Sequence, residues 1–178
     1  DSSELEIILN EIGDYPLEMI GAGSNLLVRD KGFDGIIIKL GKEFNKIKIL
    51  DSSLEVGSGI LDVNLSKYAL RNNIKNFEFY SGIPGTIGGA IKMNAGCYGS
   101  ETKDIVEEVQ LINRQGELKI ISKKKLNLKY RQSTLPKDTI IISAKYSLSY
   151  GNNKDIQNKM KDIYEMRLLT QPLKSKTS

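Results

Sequence analysis

The stretch Ser81–Gly99, SGIPGTIGGAIKMNAGCYG, packs six of the chain's 16 glycines into nineteen residues. Glycine has no Cβ, tolerates φ > 0 and lets a backbone come close to a flat or charged partner. Apart from Tyr98 and Lys92, the rest of the stretch is small or apolar. Such a segment, holding Ser81 and Asn94, fits a loop and short helix whose main-chain N–H groups face a ligand that carries phosphates. It equally fits a tightly packed turn between two elements, since glycine clusters punctuate turns generally.

A second patch has the same character. Leu17–Leu27, LEMIGAGSNLL, reads as a strand entering a glycine turn. Gly21-Ala22-Gly23-Ser24-Asn25-Leu26 invites the dinucleotide fingerprint G-x-G-x-x-G, but Leu26 stands where glycine or alanine is required. The fingerprint also needs a helix next. Leu26–Leu40, LLVRDKGFDGIIIKL, is instead two short apolar runs around Asp30-Lys31-Gly32, the pattern of strand, turn and strand. The pattern argues against a Rossmann domain. The chain has no G-x-x-x-x-G-K-[ST] and is not a P-loop protein. A phosphate-cradling loop of another design remains open.

The chain's 178 residues hold one domain or two small subdomains with a real core. A net charge of +4 suits an anionic small ligand and is too dispersed for nucleic acid. The densest basic run, Lys123-Lys124-Lys125, reads as a solvated face. No apolar run approaches the ~20 residues of a membrane span, and no signal peptide is visible. Cys97 is the only cysteine, so no internal disulfide forms, which fits a reducing cytoplasm. There is no histidine. That excludes a Ser-His-Asp triad, a Cys-His dyad and a histidine-based metal site within these residues. With one cysteine a Cys-rich metal site is excluded too. Chemistry must come from Arg, Lys, Tyr, Ser, carboxylates or a bound organic cofactor.

The periodicities predict mixed α and β structure. Ser2 or Ser3 caps a helix over Glu4–Ile12. Strands follow at Glu18–Ile20, Leu26–Val28, Ile36–Leu40, Ile47–Leu50 and Leu54–Val56. A helix spans Asp62–Asn72, and a hairpin pairs Ile105–Asn113 with Glu117–Ile121. Thr139–Leu148 is a β-branched strand, and Asp155–Leu169 has helical spacing. The seam at residues 57–61 is the one plausible subdomain boundary. Between two apolar stretches lies Lys129-Tyr130-Arg131-Gln132-Ser133. On an extended segment Tyr130 and Arg131 point to opposite faces, one lining a pocket and the other bracing it. A guanidinium in a pocket suits a phosphate, a carboxylate or a developing enolate. An exposed arginine in a surface ion pair accounts for the same spacing.

GAGSNLLVRDKGFDG, SGIPGTIGGAIKMNAGCYGSE and YRQS before an Ile-rich strand, in this order and spacing, resemble the UDP-N-acetylenolpyruvoylglucosamine reductase family of peptidoglycan synthesis. The wording is closest to its shorter subtype, and the resemblance covers nearly the whole chain. It implies an α+β, FAD-binding fold of the vanillyl-alcohol-oxidase type. One subdomain would be residues 1–58, a second 59–148, with 149–178 a helix and linker. Gly21, Ala22, Gly23, Ser24, Asn25 and Leu26 would hold the FAD diphosphate. Gly82, Ile83, Pro84, Gly85, Gly88 and Gly89 would wrap its other side. Asn94 and Gly96 would continue that wall, and Ile141 would lie near the adenine.

By the same resemblance NADPH reduces the flavin, and an enolpyruvyl UDP-sugar then takes the hydride. Arg131 matches the arginine that stabilises the developing enolate. Tyr130 matches a substrate-contacting tyrosine, and Tyr98 is a further candidate for that pocket. The implied protein is a cytoplasmic monomer with no metal, no nucleic-acid partner and no membrane insertion. The family continues past Gln171-Pro172 into a Gly-Ser-x-Phe-x-Asn-Pro motif whose serine donates a proton. A substrate-binding domain with a catalytic glutamate follows it. Ser175 and Ser178 do not sit in that motif. The expectation is therefore a fragment that lacks the substrate-binding domain and is inactive alone. Another flavoenzyme of the same fold and a non-catalytic nucleotide-binding module are the alternatives. Flavin oxidases often tether FAD through His or Cys, and Cys97 reads as a packing residue.

Overall fold

The computed structural model describes residues 1–136 and 138–171. Pro172, Ser175 and Ser178 lie outside them. Helix α1 (Ser2–Ile12) is capped by Asp1 rather than by Ser2 or Ser3. The Asp1 carboxylate accepts from the N–H groups of Ser3 and Glu4, and Glu4 reaches back to the Asp1 amine. Two short strands follow, β1 (Leu17–Met19) and β2 (Ile36–Ile38), paired in parallel. Next come β3 (Ile47–Ile49), β4 (Ser53–Gly57), α2 (Asp62–Arg71), a 3₁₀ turn at Glu78–Gly82 and α3 (Ile87–Lys92). The tiny hairpin β5 (Gly96–Cys97) and β6 (Ser100–Glu101) leads to α4 (Thr102–Ile105), β7 (Val106–Asn113), β8 (Leu118–Ser122) and α5 (Lys123–Leu126). Strand β9 (Thr139–Ser147) and helix α6 (Asn153–Thr170) complete the order.

The frame is a five-stranded antiparallel sheet in the order β3-β4-β9-β7-β8. Both faces are covered, so its central strands read as apolar runs rather than as a clean alternation. On one face Leu54, Val56, Val109, Leu111, Ala144 and Tyr146 meet α2, the 3₁₀ turn and α3 through Leu65, Phe77, Tyr80 and Ile87. On the other, Ile112, Ile140 and Ile142 meet Leu5 and Leu9 of α1, with Leu17, Met19 and Ile38 of the small parallel pair against them. A register slip reconciles the two. Leu111 pairs with Ile141 and Gln110 with Ser143, which leaves Ile142 as the extra residue of a bulge in β9. The side-chain period is two, so this extra residue flips the faces. Ile142 can thus face α1 while Tyr146 enters the main core.

Two differences from the sequence reading have physical causes. Leu26–Val28 is not a strand but part of the exposed connection between β1 and β2, with Leu27 92% exposed. Strands β3 and β4 join β9 in the large sheet. That sheet therefore draws strands from both sides of the seam expected near residues 57–61.

Candidate functional site

Between the β1–β2 pair and the edge of the large unit runs an open cleft of about 490 Å³. Met19, Gly21 and Lys39 line one wall, and Ser58, Gly59, Thr86, Gly88, Gly89 and Lys92 the other; Ile140 and Ile141 of β9 also line it. A tight mesh builds the second wall. The Ser58 N–H donates to Ile142 O at 3.1 Å, and its Oγ to Ile141 O at 2.6 Å. The carbonyls of Ser58 and Ile60 accept from the N–H groups of Gly88 and Ile87, each at 2.9 Å. The start of α3 is thereby tied to the end of β4.

The two glycine segments meet at one end of this cleft. Ser24 Oγ donates to the Pro84 carbonyl. A Cβ on Gly21 would stand 2.5 Å from Thr86 Oγ1, so the approach requires glycine. Among the described residues, no backbone carbonyl accepts from the N–H groups of Gly21, Ala22, Gly23, Ser24 or Asn25. These donors sit on an exposed loop at the mouth of the cleft.

The sequence-predicted cofactor residues divide into three groups. Gly21, Gly88, Gly89 and Ile141 line the cleft. Ala22, Gly23, Ser24, Asn25 and Leu26 form its exposed rim. Gly82, Ile83, Pro84 and Gly85 form the turn that leads to Thr86. Two glycines of that turn are needed for contacts inside the protein. A Cβ on Gly82 would lie 2.8 Å from Ile163 and 2.9 Å from Cys97 Sγ, and one on Gly85 would lie 2.8 Å from Asp62 Oδ2. Gly96 is likewise packed, 2.5 Å from Ser100 O if it carried a Cβ. Lys39 and Lys92 were not singled out from the sequence. Lys39 closes an Ile-rich run and Lys92 interrupts a small-residue run, each where a purely packed segment would be apolar.

Asn94 belongs to a neighbouring constellation. It is buried with φ +42°, and every polar atom of its side chain is engaged. Its Nδ2 donates to Glu101 Oε2 at 2.7 Å and to Lys129 O at 3.2 Å, and its Oδ1 accepts from Lys103 N–H at 2.9 Å. It thus fastens the β5–β6 hairpin to the turn that carries Tyr130 and Arg131. Ser133 Oγ adds a bond of 2.7 Å to the Lys92 carbonyl. Lys129 and Gln132 bond each other across that turn, so the segment is not extended, and Arg131 sits at φ +54°. Tyr130 and Arg131 therefore share one side, the guanidinium 5.6 Å from the ring centroid. This corrects the expectation of opposite faces.

Tyr130 is 82% exposed and Tyr98, at φ +51°, is also exposed. Hydrogen bonds from Lys103 and Asn94, and then the charges of Lys103 and Arg131, hold the Glu101 carboxyl below the usual range. Burial pushes the Cys97 thiol up to about 11, against the pull of Arg167 and Arg131, and its Sγ donates to Phe79 O. Three candidate residues, Asn94, Tyr98 and Arg131, hold left-handed backbone, which L side chains adopt at a cost. Among the described residues, no three His, Cys, Asp or Glu side chains are grouped to hold a metal, and no helix is long and apolar enough to cross a membrane.

Comparison with known proteins identifies the family of the chain. Residues 2–122 match the FAD binding domain family. The chain belongs to the FAD binding domain family. FAD is an elongated dianion with an apolar ring system. The lining carries Lys39 and Lys92 beside Glu18 and Asp138, and its unengaged N–H donors at the mouth together with Ile140 and Ile141 fit that chemistry. Among curated relatives, a UDP-N-acetylenolpyruvoylglucosamine reductase of Rickettsia akari is 42% identical over 178 residues, 99% of this chain and 60% of that protein. One of Rickettsia prowazekii is 44% identical over 162 residues, 91% of this chain and 55% of its own length. The crystal structure of UDP-N-acetylenolpyruvylglucosamine reductase from Thermus caldophilus superposes with a TM-score of 0.83 at 30% identity. That match covers 96% of this chain and 61% of the other. The chain spans about 60% of the length of the curated relatives it matches.

Proposed function

We propose that these residues are the flavin-binding portion of an NADPH-dependent reductase. Its reaction would turn an enolpyruvyl ether of UDP-N-acetylglucosamine into UDP-N-acetylmuramate. The observation that carries this is structural continuity between the two constellations. Ser133 to Lys92 and Lys129 to Asn94 tie the Arg131 turn to the segment that forms the flavin cleft wall. A substrate bound by Arg131 and a flavin bound in the cleft would be held by one rigid block. The flavin, when bound, supplies the hydride.

The chain's own residues do the rest. Lys39, Lys92 and the N–H groups of Gly21–Asn25 hold negative charge and orient the cofactor. Arg131 faces the substrate carboxylate and stabilises the charge that develops on it once the methylene carbon has taken hydride. Preorganised electrostatics of this kind is typically worth about 3–4 kcal/mol. The left-handed turn sets the direction in which Arg131 leaves the backbone, and the Tyr130 ring lies 5.6 Å from its guanidinium. Tyr130 and Tyr98 offer exposed faces and hydroxyls to the sugar nucleotide. The same reading carries a cytoplasmic, monomeric enzyme with a small-molecule partner. The test is NADPH-dependent conversion of the enolpyruvyl UDP-sugar by the whole protein, followed by product mass. Gain of two hydrogens supports the assignment. Flavin reduction by NADPH with the UDP-sugar unchanged overturns it.

A further inference from the structure

Asp62 opens helix α2 and is 0% exposed. Neither carboxyl oxygen has a hydrogen-bond partner among the described residues. Its backbone N–H donates to the Gly85 carbonyl at 3.1 Å, and its Oδ2 lies 2.8 Å from where a Gly85 Cβ would stand. The carboxyl therefore backs directly onto the Pro84–Thr86 turn. The same turn receives Ser24, packs Thr86 against Gly21 and leads to the cleft residues Gly88 and Gly89.

We propose that Asp62 sets the affinity of the cleft for its dianionic cofactor through its own protonation. Neutral, it lets the turn close on the diphosphate; ionised, it repels it. The proposal rests on the flavin reading of the cleft. A carboxylate with no donor in a dry interior is strongly disfavoured, and burial raises the Asp62 pKa to about 8. The titratable groups that feel its charge are Tyr80 of the 3₁₀ turn and Tyr146 of β9. Both are fully buried, kept protonated, and bonded to each other at 3.3 Å and through Tyr80 to Thr102 rather than to Asp62. No cation among the described residues contributes to the shift. A diphosphate bound across the same turn makes ionisation harder still. The bound form then keeps its proton to a higher pH than the free form. Linkage fixes the sign: affinity is constant below the free-state pKa and falls about tenfold per pH unit above it.

The experiment measures the FAD dissociation constant by flavin fluorescence quenching from pH 6.5 to 9.3 at fixed ionic strength. It compares the parent with Asp62→Asn, and FAD with riboflavin, which lacks phosphates. The parent is expected to bind FAD nearly equally between pH 6.5 and 7.5 and about fivefold more weakly at 9 than at 8. Asp62→Asn is expected to hold the low-pH affinity throughout, and riboflavin to show no such slope. A flat parent profile, an Asp62→Asn profile with the parent's slope, or an equal slope for riboflavin overturns the proposal. Should Asp62→Asn not fold, the parent's FAD and riboflavin profiles decide alone. Failure of the folded parent to bind FAD at any pH would instead overturn the flavin reading.

Discussion

Gly88→Val tests the cleft wall where the start of α3 meets the end of β4. A Cβ at Gly88 would stand 3.3 Å from Ser58 Cβ and 3.4 Å from Ser58 O. Ser58 has little room to yield, because its N–H, Oγ and carbonyl are bonded to Ile142, Ile141 and Gly88 itself. Alanine needs a shift of a few tenths of an ångström and gains helix propensity of about 0.8–1 kcal/mol over glycine, so Gly88→Ala should be near neutral. Valine adds two γ carbons that meet the same wall. Overpacking of this kind costs about 1–3 kcal/mol. For a chain of this size that lowers Tm by roughly 2–4 °C per kcal/mol. The strain is relieved by moving α3 away from Ser58, which disturbs Gly89 and Lys92 in the cleft. FAD affinity should fall at least tenfold, about 1.4 kcal/mol. Thermal melts without flavin and fluorescence titrations with FAD give the two numbers separately. A Gly88→Val protein that binds FAD as tightly as the parent, or a Gly88→Ala protein as impaired as the valine variant, refutes the reasoning.

Arg131→Lys in the whole protein keeps the charge and loses the planar fork. It should slow flavin reoxidation by the enolpyruvyl substrate by 10²-fold or more while leaving flavin reduction by NADPH intact in stopped flow. Slowing of the NADPH step would place Arg131 at the nicotinamide. Asn94→Ala removes three hydrogen bonds worth about 0.5–1.5 kcal/mol each. It should cost roughly 2–4 kcal/mol in denaturant melts and lower turnover more than FAD affinity, since the Arg131 turn is freed and the cleft is not. The thiol of Cys97, raised to about 11 by burial, should react slowly with iodoacetamide at pH 8 and rapidly once the protein is unfolded. Rapid labelling of the folded chain would contradict that burial.

The glycine segments were legible because close approach leaves no alternative to glycine, and α2, β9 and α6 because their periodicity is long and regular. Sequence could not separate glycines facing a cleft from glycines packed within the protein. Gly82 and Gly85 have the same local pattern as Gly88, and only the fold brings Ile163 and Asp62 against them. Leu26–Val28 has a strand's composition but no partner strand to satisfy its backbone. The bulge at Ile142 is invisible in a run of three isoleucines. Tyr130 and Arg131 share a side because the Lys129–Gln132 turn, anchored by Asn94 from 35 residues away, overrides the alternation of an extended chain. Asp62 reads as an ordinary first-turn acid; its burial depends on Tyr80, Gly85 and Tyr146 arriving from elsewhere. The FAD identity itself came from whole-motif resemblance, since the residues alone pointed no further than a phosphate-bearing ligand.

The central claim is that this cleft holds FAD non-covalently. The most direct measurement is to saturate the purified chain with FAD, remove excess, precipitate the protein with acid, and quantify flavin in supernatant and pellet. One FAD per chain, all of it in the supernatant and absent from a Gly88→Val sample, is the predicted result. A folded chain that retains no flavin, or flavin that stays with the pellet bonded to Cys97, would contradict the account.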